Sequence, residues 1–483
     1  MERRHSSWAP TRWVALAVVL ALVAAACGRA DDGTREATEA TSETTTADGD
    51  PVRGPLAAGE FGDLGVVCSP GDPEPVQGQV GITGTTIHVA VFHDAGFAAR
   101  PGLLKEFQDI GQAFTAWCNE HGGVRGYRIE MSDRDVAFSE HLNRMIESCE
   151  SDFAMVGGGA ALDDAGQETR LACGLPDFAG FVVTQPAAGA DLVVQALPNP
   201  IEEQAVAHLR YADEHFPEAT GAVGILAGDF GTTRQQAVRV RDAMDQLGWN
   251  VVSEELYPPA GVDDWSPFVA ALQDAGVRGV YWIGEPENLA AVRKTMRDRG
   301  YEPDFVLTDA NHYDQLYLDA GGDAVGRTFV QVGFVPFELA DQYPAIAQYT
   351  ALIDDYDPDG KKALLGAQGL SAWLLFATSL GRCIDEGELT RDCVYQEAKS
   401  VTEWTGGGLH APRDVAHNRA GECQLVVEAT PDGFVVADVE ANQGPFTCSP
   451  DNVLPVTADL SEFGEPARCP SGVEEPLPSE CPA

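Results

Sequence analysis

The chain has 483 residues, enough for roughly two or three domains with their own cores. Its composition is globular, 44% hydrophobic and 22% charged, and 75 acids against 31 bases leave a net charge of -44. Such a balance excludes nucleic acid and an anionic membrane surface as partners, since both need a basic footprint, and it favours a solvated acidic surface.

The first segment reads as a targeting signal. Arg3, Arg4 and Arg12 precede an apolar run from Trp13 to Ala26, shorter than the roughly 20 residues a membrane span needs. Small residues then lead into Cys27, which resembles a bacterial lipoprotein processing site. The expected consequence is lipidation of Cys27 and removal of residues 1–27. The Thr/Glu-rich stretch that follows holds almost no large apolar groups and reads as a disordered tether. Setting Cys27 aside leaves ten of the eleven cysteines, an even number in an exported chain, which points to disulfides. Connectivity is not determined by sequence. Locality suggests Cys149–Cys173, Cys383–Cys393, Cys423–Cys448 and Cys469–Cys481, with Cys68–Cys118 as the remaining pair.

From Thr86 onward apolar runs alternate with helical patterns. "TIHVAVF" reads as a strand, Leu103 to Trp117 as a helix, "YRIEMSD" as a strand, "SEHLNRMIESC" as a helix and "FAMVGGG" as a strand. A helix that includes Cys173 and the strand "PDFAGFVV" follow. A second series opens with the helical "IEEQAVAHLRYADEHF". The strands "AVGILAGD", "NVVSEELY", "GVYWIGE" and "DFVLTD" come next, with helices between them. Strand–helix alternation of this length predicts βαβ units, and this many strands predicts two doubly wound lobes with mainly parallel sheets. Three helical segments follow between Tyr343 and Val401, the middle one apolar nearly all round and therefore buried. "ECQLVVEATPDGFVVADVEAN" reads as a hairpin, and the chain from Ser449 as a Pro- and Cys-rich tail.

"NEHGGVRGYRIEM", Asn119 to Met131, resembles a segment of the type 1 periplasmic binding proteins of the branched-chain amino acid branch. The ordered series "VAVFHDAGF", "AMVGGGAAL", "GLPDF", "GAVGILAGDFGTTRQQ", "GVYWIGEPE" and "DFVLTD" extends the likeness over about Thr85 to Val436. The resemblance implies two lobes joined by three crossovers, near Pro198, Phe334 and Gly406. Lobe 1 would be 85–198 plus 335–405, and lobe 2 would be 199–334 plus 406–448. Residues 28–84 would form the tether and N-terminal segment, and 449–483 the tail. It also implies a monomeric, non-enzymatic solute-binding protein on the outer face of the membrane, closing on its ligand and serving an ABC permease, with no cofactor. A tethered sensor or surface-binding module without a transporter is the other reading.

Carried over by position, the resemblance places ligand contacts at His93, Asp94 and Phe97, and at Gly158, Ala160 and Ala161 after the glycine strand. It adds Phe230, Glu285 and Asp309. Each keeps a plainer reading: Asp309 as a helix cap, Phe230 as core, His93 as a polar loop residue. Bare N–H groups in the glycine loop would seat an anion. Amino acid binders usually add Ser or Thr hydroxyls there, where this chain has Ala160 and Ala161. With Asp94, Asp163, Asp229, Glu285 and Asp309 the expected cleft is acid-rich, which suits an amino acid-like or amine-bearing ligand. No nucleophile elbow, phosphate loop or metal-spaced histidine set occurs.

Overall fold

The computed structural model describes residues 50–470 and 481. The expected signal peptide, Cys27 and the tether to residue 49 lie outside the described residues. Six strands build the first sheet: β1 (Ile82–Thr83), β2 (Thr86–His93), β3 (Arg128–Asp135), β4 (Ala154–Val156), β5 (Asp177–Ala179) and β6 (Val193–Gln195). The parallel order is β3-β2-β4-β5-β6, with short β1 antiparallel to β2. β7 (Glu203–Ala205) stands apart from it.

The second sheet repeats the pattern. β8 (Val223–Gly228), β9 (Val251–Tyr257), β10 (Gly279–Ile283), β11 (Phe305–Thr308) and β12 (Thr328–Val332) run parallel in the order β9-β8-β10-β11-β12. β13 (Cys423–Thr430) and β14 (Gly433–Val436) extend it antiparallel, and β15 (Thr447–Cys448) pairs with β13. β8, β10 and β11 are buried at every position because helices cover both faces, which is why they read as unbroken apolar runs. β9, at the edge, alternates instead. Both sheets are thus doubly wound, as expected.

The chain passes between the sheets three times: before β7, between β12 and the Pro344–Tyr356 helix, and between the Arg391–Lys399 helix and β13. The Lys105–Glu120 helix buries Phe107, Ile110, Phe114 and Trp117 against the Leu364–Glu386 helix, where Phe114 stacks on Trp373 at 5.1 Å. The Leu364–Glu386 helix is, among the described residues, long and apolar enough to cross a membrane, but it is the buried core helix of the first lobe. Disulfides among the described residues join the four pairs that locality suggests and the remaining pair, Cys68–Cys118.

The structure corrects four local expectations. The helix expected from Ile201 begins at Ala207, because Glu203–Ala205 pairs with β16 (Val453–Pro455) of the tail. The tail is therefore not all loop. Leu103 and Leu104 precede their helix, Leu104 in a left-handed turn with φ of 55°. Residues 53–68 are folded: Leu56, Phe61 and Val67 are buried, and Cys68 is bonded to Cys118. β6 and β12 carry no sequence expectation at all.

Candidate ligand-binding site

Strands of both sheets end toward one cavity of about 300 Å³. Loops at the carboxyl ends of β4, β5, β6, β8, β10, β11 and β12 all contribute to its wall, which is where doubly wound sheets bind ligands. Leu103, Phe181, Val183, Phe230 and Ile283 form an apolar part. The crossover segments supply Asn199, Gly333 and Arg413, and the strands that follow two of them supply Gln204 (β7) and Gln424 (β13).

Of the nine residues carried over from the family pattern, Ala161, Phe230, Glu285 and Asp309 reach the cavity. Phe230 meets Phe138 edge-on at 6.0 Å, and Phe138 stacks on Phe97, so Phe97 supports the wall from behind. Asp309 keeps its plainer role as well, since its carboxylate accepts from the N–H of Asn311 at the start of a 3-10 turn.

His93, Asp94, Gly158 and Ala160 do not line it. His93 is buried against Asp133, with Nε2 2.5 Å from Oδ1. Asp94 is fully buried and accepts from the N–H of Ala161 at 2.7 Å and of Phe138 at 2.5 Å. Gly158 and Ala160 face a void of about 10 Å³, room for one water at most.

The glycine loop is therefore not a bare anion seat. The N–H of Gly157 donates to Phe178, that of Gly159 to Phe92, and that of Ala161 to Asp94. Its glycines are needed for close packing. A Cβ at Gly157 would lie 2.6 Å from the Trp373 ring, and one at Gly158 2.6 Å from the backbone of Phe92. Gly157 also holds φ of 68°, which disfavours any other residue.

The expected acid-rich cleft is also corrected. Asp94 is consumed as above. Asp163 accepts from the N–H groups of Val183 and Thr184 and from the Thr184 hydroxyl, and burial pushes its carboxyl up to about 6. Asp229 is exposed and faces Arg234 at 3.7 Å. Glu285 does border the cavity, but Arg100 neutralises it at 2.7 Å and also grips Glu287. Arg100 follows β2 in the first lobe, whereas the two glutamates open the Pro286–Asp298 helix of the second. This pair therefore spans the cleft, as do the Thr232 hydroxyl donating to the Ala161 carbonyl at 3.1 Å and Lys361 joining Glu106 to Asp314.

Sequence reasoning misses Arg100, Arg413, Gln204 and Gln424. Gln204 Oε1 and Gln424 Oε1 are buried with no donor. Arg100 and Arg413 sit in no periodic pattern, and Gln204 and Gln424 sit in patterns that mark a helix and a hairpin rather than a site, so no sequence signal points to them.

A family model described as "Periplasmic binding protein" matches residues 105–433. A fatty acid ABC transporter substrate-binding protein from Thermomonospora curvata is 18% identical, with a TM-score of 0.67, covering 80% of this chain and 97% of its own. A branched-chain amino acid ABC transporter protein from Thermus thermophilus with bound valine is 15% identical, with a TM-score of 0.63 and coverage of 78% and 98%. A branched-chain amino acid transporter substrate-binding protein from Streptococcus pneumoniae, in complex with isoleucine, is 13% identical, with a TM-score of 0.58 and coverage of 73% and 100%. The curated proteins return no match.

Proposed function

The chain belongs to the periplasmic binding protein family, and from that premise we propose that it is an extracytoplasmic solute-binding protein that closes two lobes on a small molecule for an ABC importer. The observation that carries the reading is the cavity walled by strand ends of both sheets. The lobes are 85–198 plus 335–405 and 199–334 plus 406–448, and lobe closure is a hinge motion at the crossovers. Two of the structural relatives are described with valine or isoleucine bound and one as a fatty acid carrier. These ligands share an apolar body, which suits Leu103, Phe181, Phe230 and Ile283. The protein acts as a monomer held to the membrane by a lipid on Cys27, and its own partners are the ligand and the permease.

A thermal-shift panel of small metabolites tests the binding role, because a ligand of the native state raises the melting temperature by mass action. At least one apolar-bodied solute is expected to raise it dose-dependently. A broad panel with no shift would contradict the proposal. Labelled palmitate is expected in the wild type and not in Cys27→Ala; equal labelling of both would end the anchoring proposal.

A further inference from the structure

Arg413 lines the cavity and is only 5% exposed. Its Nη2 donates to the carbonyls of Gly333 at 3.1 Å and Cys423 at 3.0 Å, while Nε is buried with no partner. Among the described residues no carboxylate pairs with it. Asp414, its neighbour, is bonded to His417. Glu203, a carboxylate on the cavity wall, is held by Arg419 and by the N–H of Ala420. A buried cation without a counterion is costly. Burial alone pushes the guanidinium down to about 10, so it stays charged at neutral pH.

Other buried arginines rest on carbonyls too. Arg239 and Arg293 do so, but neither reaches the cavity. Arg413 is set apart by its place: it binds two crossovers together and faces the space where a ligand goes. The chain makes room for it there. A Cβ on Gly421 would fall 1.2 Å from Arg413 Nη1, so only glycine permits this placement. Of the carboxylates on the wall, Glu285 pairs with Arg100, Glu203 with Arg419, and Asp309 accepts from the N–H of Asn311 with no lysine or arginine beside it. Among the described residues Arg413 is the one arginine or lysine on the wall, and no carboxylate pairs with it.

We propose that Arg413 seats a carboxylate of the ligand at the hinge, and that the ligand is a monocarboxylate with an apolar body directed at Leu103, Phe181, Phe230 and Ile283. The proposal rests on the solute-binding reading and names its ligand class. Paired with a carboxylate, the guanidinium gains charge-assisted bonds beyond the two that it gives to carbonyls.

The test compares straight and branched monocarboxylates of four to ten carbons with their matched primary amides and amines, by calorimetry at pH 7. In the wild type a carboxylate is expected to bind at least tenfold more tightly than its amide. Arg413→Gln should abolish that preference and leave the amide's affinity within threefold. Equal binding of acid and amide in the wild type would overturn the proposal, and that comparison needs no variant to fold. So would a preference that survives in Arg413→Gln. If amines or amides bind and carboxylates do not, the carboxylate seat is wrong and solute binding stands. If no compound of the three series binds, and the broad metabolite panel is silent too, solute binding itself falls.

Discussion

The glycine loop at 157–163 and the crossover at 410–424 exchange the roles their sequences suggest. The loop has the look of a ligand seat, with three glycines at a strand end and two acids after them. In the structure the N–H groups of Gly157, Gly159 and Ala161 are bonded, Asp163 is bonded and buried, and Asp164 is exposed. The crossover has no motif, yet it puts an unpaired cation on the cavity wall. What separates them is pairing: a residue is free for a ligand only when the rest of the fold leaves it so.

The largest expected effect breaks the loop. Gly157→Val forces a side chain into Trp373 at a left-handed position and should cost about 3 kcal/mol, from overpacking and backbone strain together. Urea unfolding measures it. If stability is unchanged and only ligand affinity falls, the loop is a seat after all.

Asp94→Ala comes next. It strands the N–H groups of Ala161 and Phe138, for a loss of about 2–3 kcal/mol. The structural role predicts that the loss shows in the ligand-free protein, read from its denaturant midpoint.

Acid sharpens the comparison. Burial pushes His410 in the crossover down to about 3, and Arg413 adds to it; His141 beside the loop is pushed down to about 4. The unfolded state gains these protons below about 6.5 while the folded state does not, so stability is lost as pH falls. Near the loop, Asp163 and Asp177 are pushed up to about 6 by burial. They take up protons first in the folded state, so their contribution rises as pH falls from about 6 to 3.8 and opposes His141. His410→Gln and His141→Gln are each expected to recover about 2 kcal/mol of the loss between pH 7 and 5. Melting curves at the two pH values decide it, and a variant with the same loss as the wild type would count against burial of that neutral histidine.

The smallest effect concerns the cleft. Arg100→Gln removes the bridge to Glu285 and Glu287 and should weaken ligand binding by roughly tenfold, as the closed form loses one of its cross-cleft contacts. A calorimetric titration reads it. Unchanged affinity would mean that the pair is ornamental to closure.

The architecture was legible because buried parallel strands leave continuous apolar runs and their helices leave stripes such as Phe107, Ile110, Phe114 and Trp117. β6 and β12 escaped because a short run such as Val193–Gln195 carries no period. At the site, Ala161, Phe230, Glu285 and Asp309 were legible through their position after strands. Whether a charge is spent was not. Asp94 is satisfied by Phe138, 44 residues on, and Arg100 meets Glu287 across 187 residues. Arg413 and Gly421 lie in a crossover without periodicity, and their fit exists only in three dimensions.

A crystal structure with the tightest-binding solute of the panels tests the central claim most directly. The account predicts an anionic oxygen about 2.7–2.9 Å from the Arg413 guanidinium, with the N–H groups of Gly157, Gly159 and Ala161 still bonded as here. An anion resting on the N–H groups of residues 158–160, with Arg413 untouched, would contradict it.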